Sequence, residues 1–401
     1  MKNFIYVIVF LLAIAFYRCN KKTTHADMSM NLEIIQINAD NAKQEIAMSD
    51  VFSSIEYIPL ESRNGHLIGE ISKLLIYKKH IFIMDNLHTQ SIFCFTETGN
   101  FLYEINRQGQ GPGEYSKLID FNIDYEQDRL LLFSTYKVLE FDLGGQFLSE
   151  HKVDFIANSS AYIGNGCQAF YGDYTENSKF ENKGYTPNLL ILKNNKTIYT
   201  DLYFPSEIQS SSLESTVYNF SDNSRGTVLL FEPYNDTLYH LTPDLVERRY
   251  YIDFGKNKKD KNFYSLLYSP SSSLKDVKTH MMNQDICNII AVSETETCLF
   301  FIYSCKTVYH LVFYNKKTNE IKDCFKDYRN ENDVTYPVKN DIDGSLVAMP
   351  FFTDGDSFYG CAEAYLLKQS AQSVTDTVLK QKLDNLLEDD NPVIIKMILK
   401  Q

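Results

Sequence analysis

The most conspicuous chemical motif in the sequence is Gly109-Gln110-Gly111-Pro112-Gly113-Glu114-Tyr115. Glycines at alternate positions let backbone N–H groups turn toward an anion, as in phosphate-binding loops. Such a loop needs a strand before it and a helix after it. Here residues 118–124 read as a strand, so the spacing predicts a tight link that needs glycine for its dihedral freedom. Its neighbours Arg107, Glu114 and Tyr115 are candidates for ligand contact, with a simple Arg107–Glu114 ion pair as the alternative. Arg63 and His66 precede the first strand run, and His88 lies in a nearby turn. A metal centre wants three ligands at set distances. Nothing in this spacing fixes one, so neither a metal nor a cofactor is expected. Asp341-Ile342-Asp343-Gly344 and Asp354-Gly355-Asp356 resemble pieces of calcium loops, but the remaining ligands are missing. Turn chemistry accounts for both.

Tyr171, Asp173, Tyr174 and Tyr185 form one polar-aromatic group, and Phe263, Tyr264 and Tyr268 form a second. Exposed aromatics grip sugars and peptides by stacking plus a polar tip. The alternative is that they pack loops onto the body of the fold. Asp173 and Tyr174 join Arg63, His66, Arg107, Glu114 and Tyr115 as the candidate ligand-binding set. No Gly-x-Ser-x-Gly, no His-Glu-x-x-His and no nucleophile triad is present. A carboxylate-based lyase or hydrolase needs no such motif, because its acid and base can come from distant segments.

The elements that would position these residues are strands. Among 401 residues there are 28 Tyr and 27 Phe and no Trp, a composition that favours packed sheets. The net charge of -13 argues against nucleic acid as a partner, since phosphate binding needs a basic face. Residues 70–105 read as four β runs: 71–77, 81–85, 91–96 and 101–105. A second unit follows at 118–124, 129–133, 138–142 and 146–153. Residues 91–102 align with 137–148 at an offset of 46, each with a glycine-bearing hairpin turn. Weaker copies fill 161–204, 217–254 and 286–325, and a sixth begins at 346–361. Four antiparallel strands per ~45 residues is the blade signature of a β-propeller. The sixth unit lacks two strands. Runs at 392–399 and 55–60 supply them if the N- and C-terminal strands meet in one blade. Ring closure removes exposed sheet edges; an open array of hairpins or two sandwiches is the alternative.

Lys79-His80-Ile81-Phe82-Ile83-Met84-Asp85, Ser91-Ile92-Phe93-Cys94-Phe95, Gly99-Asn100-Phe101-Leu102 and the 109–115 motif resemble an NHL-type propeller repeat. With Ile55-Glu56-Tyr57-Ile58-Pro59-Leu60-Glu61 near the start and Asp389-Asp390-Asn391-Pro392-Val393 near the end, the chain resembles six-bladed β-propeller lipoproteins of gut Bacteroidetes. The resemblance spans roughly residues 32–400. It implies fold and location; that family has no settled activity and implies no chemistry.

With strands of each blade named A to D, the A–B and C–D turns share one face and the B–C turns and D–A links the other. Nearly every long insertion falls in the second set: 172–188, 205–216, 255–285, 326–345 and 362–391. Loops of that length are usually functional, so the B–C/D–A face is the expected working face. Within 362–388, apolar residues at three- and four-residue steps predict a helix lying over that face or its edge.

At the N-terminus, Lys2 precedes the apolar run 4–17. The run is too short for a comfortable span and fits a secretory core. Ala13-Ile14-Ala15 offers ordinary cleavage; Cys19 stands where a bacterial lipoprotein carries its lipid, although Phe16-Tyr17-Arg18 lacks the small residue expected before it; an uncleaved anchor is the third reading. Asn20-Lys21-Lys22 lacks the acidic cluster of surface-exported lipoproteins, which favours the periplasm. Seven cysteines remain after Cys19. Most read as small buried hydrophobes, with one disulfide among Cys287, Cys298, Cys305 and Cys324 open in an oxidising compartment. The expected organisation is a signal peptide at 1–18, a linker at 19–31 and one six-bladed all-β propeller at 32–401 with a helical insertion about 362–391. The expected function is an exported binding or scaffold module, tethered to a membrane only through its N-terminal lipid. Its partner is a glycan, a peptide or an envelope protein. The rival is a propeller lyase or hydrolase with acid and base at the channel mouth.

Overall fold

The computed structural model describes residues 32–62, 65–208, 219–222, 228–306, 308–326 and 337–400. The segment with the signal run and Cys19 lies outside the described residues, as does Arg63.

Successive side chains of a strand point to opposite faces, and here both faces of each sheet are covered. In the strand His80–Asp85, Ile81 and Ile83 pack toward one neighbouring sheet while Phe82 and Met84 pack toward the other. That two-sided burial explains the unbroken apolar runs. Six such sheets form the described ring, and each pair of neighbours shares its own apolar cluster.

Blade one comprises Lys73–Tyr77, His80–Asp85, Ser91–Thr96 and Phe101–Ile105. Blade two comprises Leu118–Asp124, Arg129–Ser134, Lys137–Asp142 and Phe147–Lys152. Blade three comprises Ser159–Gly164, Cys167–Tyr171, Tyr185–Lys193 and Lys196–Pro205. Blade four comprises Phe220–Asp222, Val228–Phe231, Thr237–Thr242 and Leu245–Asp253. Blade five comprises Asn288–Glu294, Cys298–Cys305, Val308–Asn315 and Ile321–Lys326. Blade six comprises Phe352–Asp354, Ser357–Ala362, Val393–Leu399 and, as its D strand, Phe52–Pro59. The first-listed strand of each blade, A, lines the channel, and D lies outermost.

The ring closes as the terminal runs require. Val393–Leu399 pairs antiparallel with Phe52–Pro59, with Ile395 opposite Tyr57. The inner strand of this blade is shorter than the apolar pattern predicts. Phe352–Asp354 is the inner strand that pairs, and Leu346, Val347, Ala348, Met349 and Phe351 before it pack on the core.

One feature has no counterpart in the repeat pattern. Glu33–Gln36 adds a fifth, parallel strand to the outer edge of blade four, with Ile35 opposite Ile252. The chain then passes blade five, where Lys43 N donates to Asp323 O at 2.9 Å and Phe325 N to Lys43 O at 2.9 Å. Ile46–Ala47 pairs with Val338–Lys339 before the chain enters blade six. This strap covers edges that would otherwise present free backbone groups.

The C-terminal insertion holds two short helices, Ala364–Ser370 and Thr377–Asp384, not one. Val374 is extended, and the Asp376 side chain restarts the helix by accepting from Leu379 N at 2.7 Å. Six residues of the expected stripe (Ala364, Leu367, Ala371, Val374, Leu383 and Leu386) are buried against blade six, while Val378 and Leu387 face solvent beyond the break. The link between blades four and five carries two further helices, Lys261–Leu267 and Leu274–Asn283. Their starts are written in the sequence: Asp260 accepts from Phe263 N, and Ser273 and Asp276 form a capping box.

Candidate functional site

A ring of polar groups on the A strands joins the blades around the channel. Lys73 Nζ of blade one donates to Asp120 Oδ1 at 2.8 Å and Asn122 Oδ1 at 3.1 Å, both of blade two. Asp120 Oδ2 accepts from Ser160 N of blade three at 2.6 Å, and Asn122 Nδ2 donates to Ser160 Oγ at 2.7 Å. Ser159 Oγ donates to Asn219 Oδ1 of blade four at 3.3 Å. Ser221 Oγ accepts from Glu294 N of blade five at 2.9 Å, and Ser293 Oγ donates to Phe351 O beside blade six at 2.7 Å. A buried ion pair such as Lys73–Asp120 is tolerable because further hydrogen bonds occupy its remaining polar sites.

On the B–C/D–A side this ring opens into a funnel of about 530 Å³. Five blades contribute its walls. Asn86, Asn158 and Asn219 supply amides, Ser72 and Ser159 hydroxyls, Phe220 and Phe351 aromatic faces, and Met84, Leu87 and Ile119 apolar surface. Glu70 and Lys117 stand exposed on the rim. This mixture of amide, hydroxyl and aromatic groups suits a neutral polar ligand. Beside Glu70 lies Glu363, at the start of the C-terminal insertion. Glu363 is solvent-exposed, and partial desolvation, followed by the charge of Glu70, raises its carboxyl above the usual range. His88 Nε2 is 3.8 Å from Glu70 Oε2.

The candidate residues read from sequence are scattered around this funnel. His66 Nδ1 hydrogen-bonds Glu104 Oε2 at 2.7 Å, and its ring stacks on Phe101 with centroids 4.6 Å apart. Arg107 is exposed, its guanidinium 5.7 Å from the Phe147 ring centre. Tyr115 is fully buried, with its hydroxyl donating to Gln90 O at 2.6 Å. Tyr174 is buried against Phe204 and donates to Pro233 O at 3.0 Å. Asp173 is the candidate that reaches the funnel wall, accepting from Asn158 Nδ2 at 3.3 Å. Both Asp173 and Tyr174 hold positive φ, +50° and +59°, in the tight turn that brings them there.

The glycine motif is filled by the protein's own carboxylates. Glu114 Oε2 accepts from Gly111 N at 2.8 Å, and Glu150 Oε2 accepts from Gly113 N at 2.9 Å. A Cβ on Gly109 would lie 2.0 Å from Glu114 Oε2, so glycine there makes room for that side chain. The N–H of Gly113, then Lys137, hold the Glu150 carboxyl below its usual range. The aspartates of 341–344 are likewise committed. Asp341 accepts from Ser49 N at 2.9 Å, and Asp343 from the Tyr57 hydroxyl at 2.8 Å. Among the described residues no group of three His, Cys, Asp or Glu is placed to hold a metal ion. Of the rim aromatics, Tyr171 and Phe263 are buried, whereas Tyr185, Tyr264 and Tyr268 are exposed, the last two stacked at 6.4 Å.

Sequence reasoning missed Lys73, Asp120, Asn158, Ser159 and Asn219. A signal for part of this set exists. Asp120, Asn122 and Asp124 interrupt an otherwise apolar strand at every second position, which is the pattern of one strand face turned to a polar channel.

A solved structure shares this architecture. Residues 32–397 match the family model described as a domain of unknown function, DUF4934. A Bacteroides fragilis structure whose description proposes an exported protein superposes with a TM-score of 0.71 at 16% identity, covering 92% of this chain and 100% of that one. A Bacteroides vulgatus member of the DUF4221 family superposes with a TM-score of 0.48 at 9% identity, covering 89% and 99%. No curated protein matches the sequence.

Proposed function

The chain belongs to the DUF4934 family, and we propose that it is an exported binding module that receives a neutral glycan or peptide in the funnel of its B–C/D–A face. The observation that carries this reading is the funnel itself: about 530 Å³, walled by five blades, with amides and hydroxyls beside two aromatic rings. Hydroxyl- and amide-bearing ligands match such walls, since each buried polar group needs a partner and each ring a flat apolar face. The short apolar run near the N-terminus supports export, and Cys19 is the proposed point of lipid attachment, facing the periplasm. The NHL-like character of the first blade belongs to the same proposal.

Thermal-shift screening of residues 20–401 against neutral oligosaccharides and peptides tests the reading, because a ligand that binds the folded state raises the melting temperature by mass action. The expected result is a shift that shrinks on Lys117→Ala and Leu87→Ala, two exposed rim changes. A shift unchanged in both variants sinks the funnel as the site.

A catalytic reading has one observation in its favour. The raised carboxyl of Glu363 beside the charge of Glu70 is the pattern of a general acid next to a second carboxylate. Turnover of a glycan that Glu363→Gln abolishes without loss of binding would establish it; binding without turnover would leave the module non-enzymatic.

A further inference from the structure

Four cysteines gather in and beside blade five: Cys287, Cys298, Cys305 and Cys324. Strand alternation divides them. Cys287 and Cys305 belong to the apolar cluster shared with blade four, while Cys298 and Cys324 belong to the cluster shared with blade six. Members of opposite faces cannot meet. Cys298 lies on strand B and Cys324 on strand D, with strand C between them. Two strand spacings are roughly 10 Å, beyond the Cα separation that a disulfide spans.

Cys287 and Cys305 are placed differently. Strands A and B pair antiparallel with Asn288 opposite Ser304. Cys287 and Cys305 stand one step further along the same ladder. Opposed residues in such a pair have Cα atoms about 4.5–5.5 Å apart, inside the disulfide range of about 4.4–6.8 Å. Each thiol is the largest influence on the other's titration, as expected of neighbouring sulfurs.

We infer that Cys287 and Cys305 close a cross-strand disulfide when the chain folds in an oxidising compartment. The export reading decides only where this occurs, not whether the pair is competent. The acceptor is a small or protein disulfide that takes part in thiol–disulfide exchange. The Cys305 thiolate attacks one acceptor sulfur and expels a thiolate. The Cys287 thiolate then attacks the Cys305 sulfur of the mixed disulfide and expels the second. Two thiols lose two protons and two electrons, and the acceptor disulfide becomes two thiols. Both sulfurs are buried in the folded chain, so the exchange belongs to folding.

The bond has a structural target. Cys305 Sγ lies 3.5 Å from Asp285 O, at the end of the helical link. Lys306 Nζ lies 3.5 Å from Asp285 Oδ2 and 3.8 Å from Asp40 Oδ1 of the strap. The disulfide therefore pins the place where link, strap and blade five converge.

Residues 20–401 carry every described strand and seven cysteines. The chain is refolded in a buffer of reduced and oxidised glutathione, denatured, alkylated and mapped by peptide mass. The expected outcome is one linked pair of peptides holding Cys287 and Cys305, two fewer alkylated thiols than after reduction, and no change in that pair in Cys298→Ser. Oxidised protein should melt about 2–6 °C above reduced protein, a difference absent in Cys305→Ser. Full alkylation of both residues, or linkage of either to another cysteine, overturns the assignment. Mapping of wild-type protein is decisive even if a variant fails to fold. A chain made with its N-terminal signal run should carry the bond on isolation, and one made without it in a reducing cytosol should not. If the signal-bearing chain is reduced on isolation yet forms the bond with glutathione, the export reading fails and the disulfide stands.

Discussion

The two faces of the propeller both hold buried charge, and they differ in what completes it. On the A–B/C–D side, Glu294 accepts from the Tyr250 hydroxyl at 2.6 Å and Lys316 Nζ at 3.0 Å, and pairs with His240 Nε2 at 3.1 Å. Burial alone would raise this carboxyl, but His240, Lys316 and Tyr250 outweigh it and hold the pKa at about 2. Protein groups close around it. On the B–C/D–A side, the Lys73–Asp120 pair forms part of the floor of an open funnel whose rim carries exposed Glu70 and Lys117. The closed cluster holds blades four and five together. The open one offers polar groups to a visitor. Burial and charge are common to both; access separates a structural network from a candidate site.

The sharpest way to break this comparison is Glu294→Ala. It strands Lys316 and His240 and should cost about 3–5 kcal/mol in urea denaturation, with ligand affinity at the funnel unchanged. Loss of binding along with stability would mean that the two faces are not independent.

A titration of stability sharpens it next. The folded pKa of Glu294 is depressed from the ordinary glutamate value of 4.5 to about 2. Its contribution is therefore present above pH 4.5 and lost as pH falls through 2, to the extent of about 3 kcal/mol. Glu294→Gln should flatten that acid limb.

Glu232 supplies the opposite sign. It is buried between blades three and four, with Asn235 and Asn188 donating to it at 3.0 Å each. Burial outweighs those hydrogen bonds and lifts its pKa to about 7. Its contribution is present below pH 4.5 and is lost as pH rises through 7, by a similar order of about 3 kcal/mol. Glu232→Gln should remove that decline in denaturant melts between pH 5 and 8.

The smallest expected effect on stability is at the funnel rim. Lys117→Ala should stay within about 0.5 kcal/mol of wild type yet weaken a bound glycan or peptide about tenfold, or ~1.4 kcal/mol, in calorimetric titration. An effect on melting with none on binding would invert the roles assigned to the two faces.

Most strands were legible because their causes are local. The run 118–124 reads as a strand from its apolar residues and the turns that bound it, and Leu118–Asp124 is the observed strand. The closing strands were legible by elimination, since a sixth blade without partners would leave bare edges. The strap strand Glu33–Gln36 was not, because its pairing energy lies in the edge of blade four, more than two hundred residues away. The insertion stripe was legible, but not its break at Val374. The candidate site was far less visible. The funnel floor takes residues 73, 120 and 160 from three blades, and no spacing in the chain announces that they meet. Tyr115 and Tyr174 have the composition of a ligand grip, yet their hydroxyls are spent on backbone carbonyls inside the fold.

By itself, then, the amino-acid sequence determined the unit of the fold, its repetition and the face that gathers the long insertions, because side-chain alternation and turn chemistry act over a few residues. Tertiary structure alone decided which polar groups share the channel mouth, which carboxylates fill the glycine loop, and which cysteines stand opposite each other. Those are properties of neighbours brought together by ring closure, and burial, which sets their chemistry, exists only once the ring has formed.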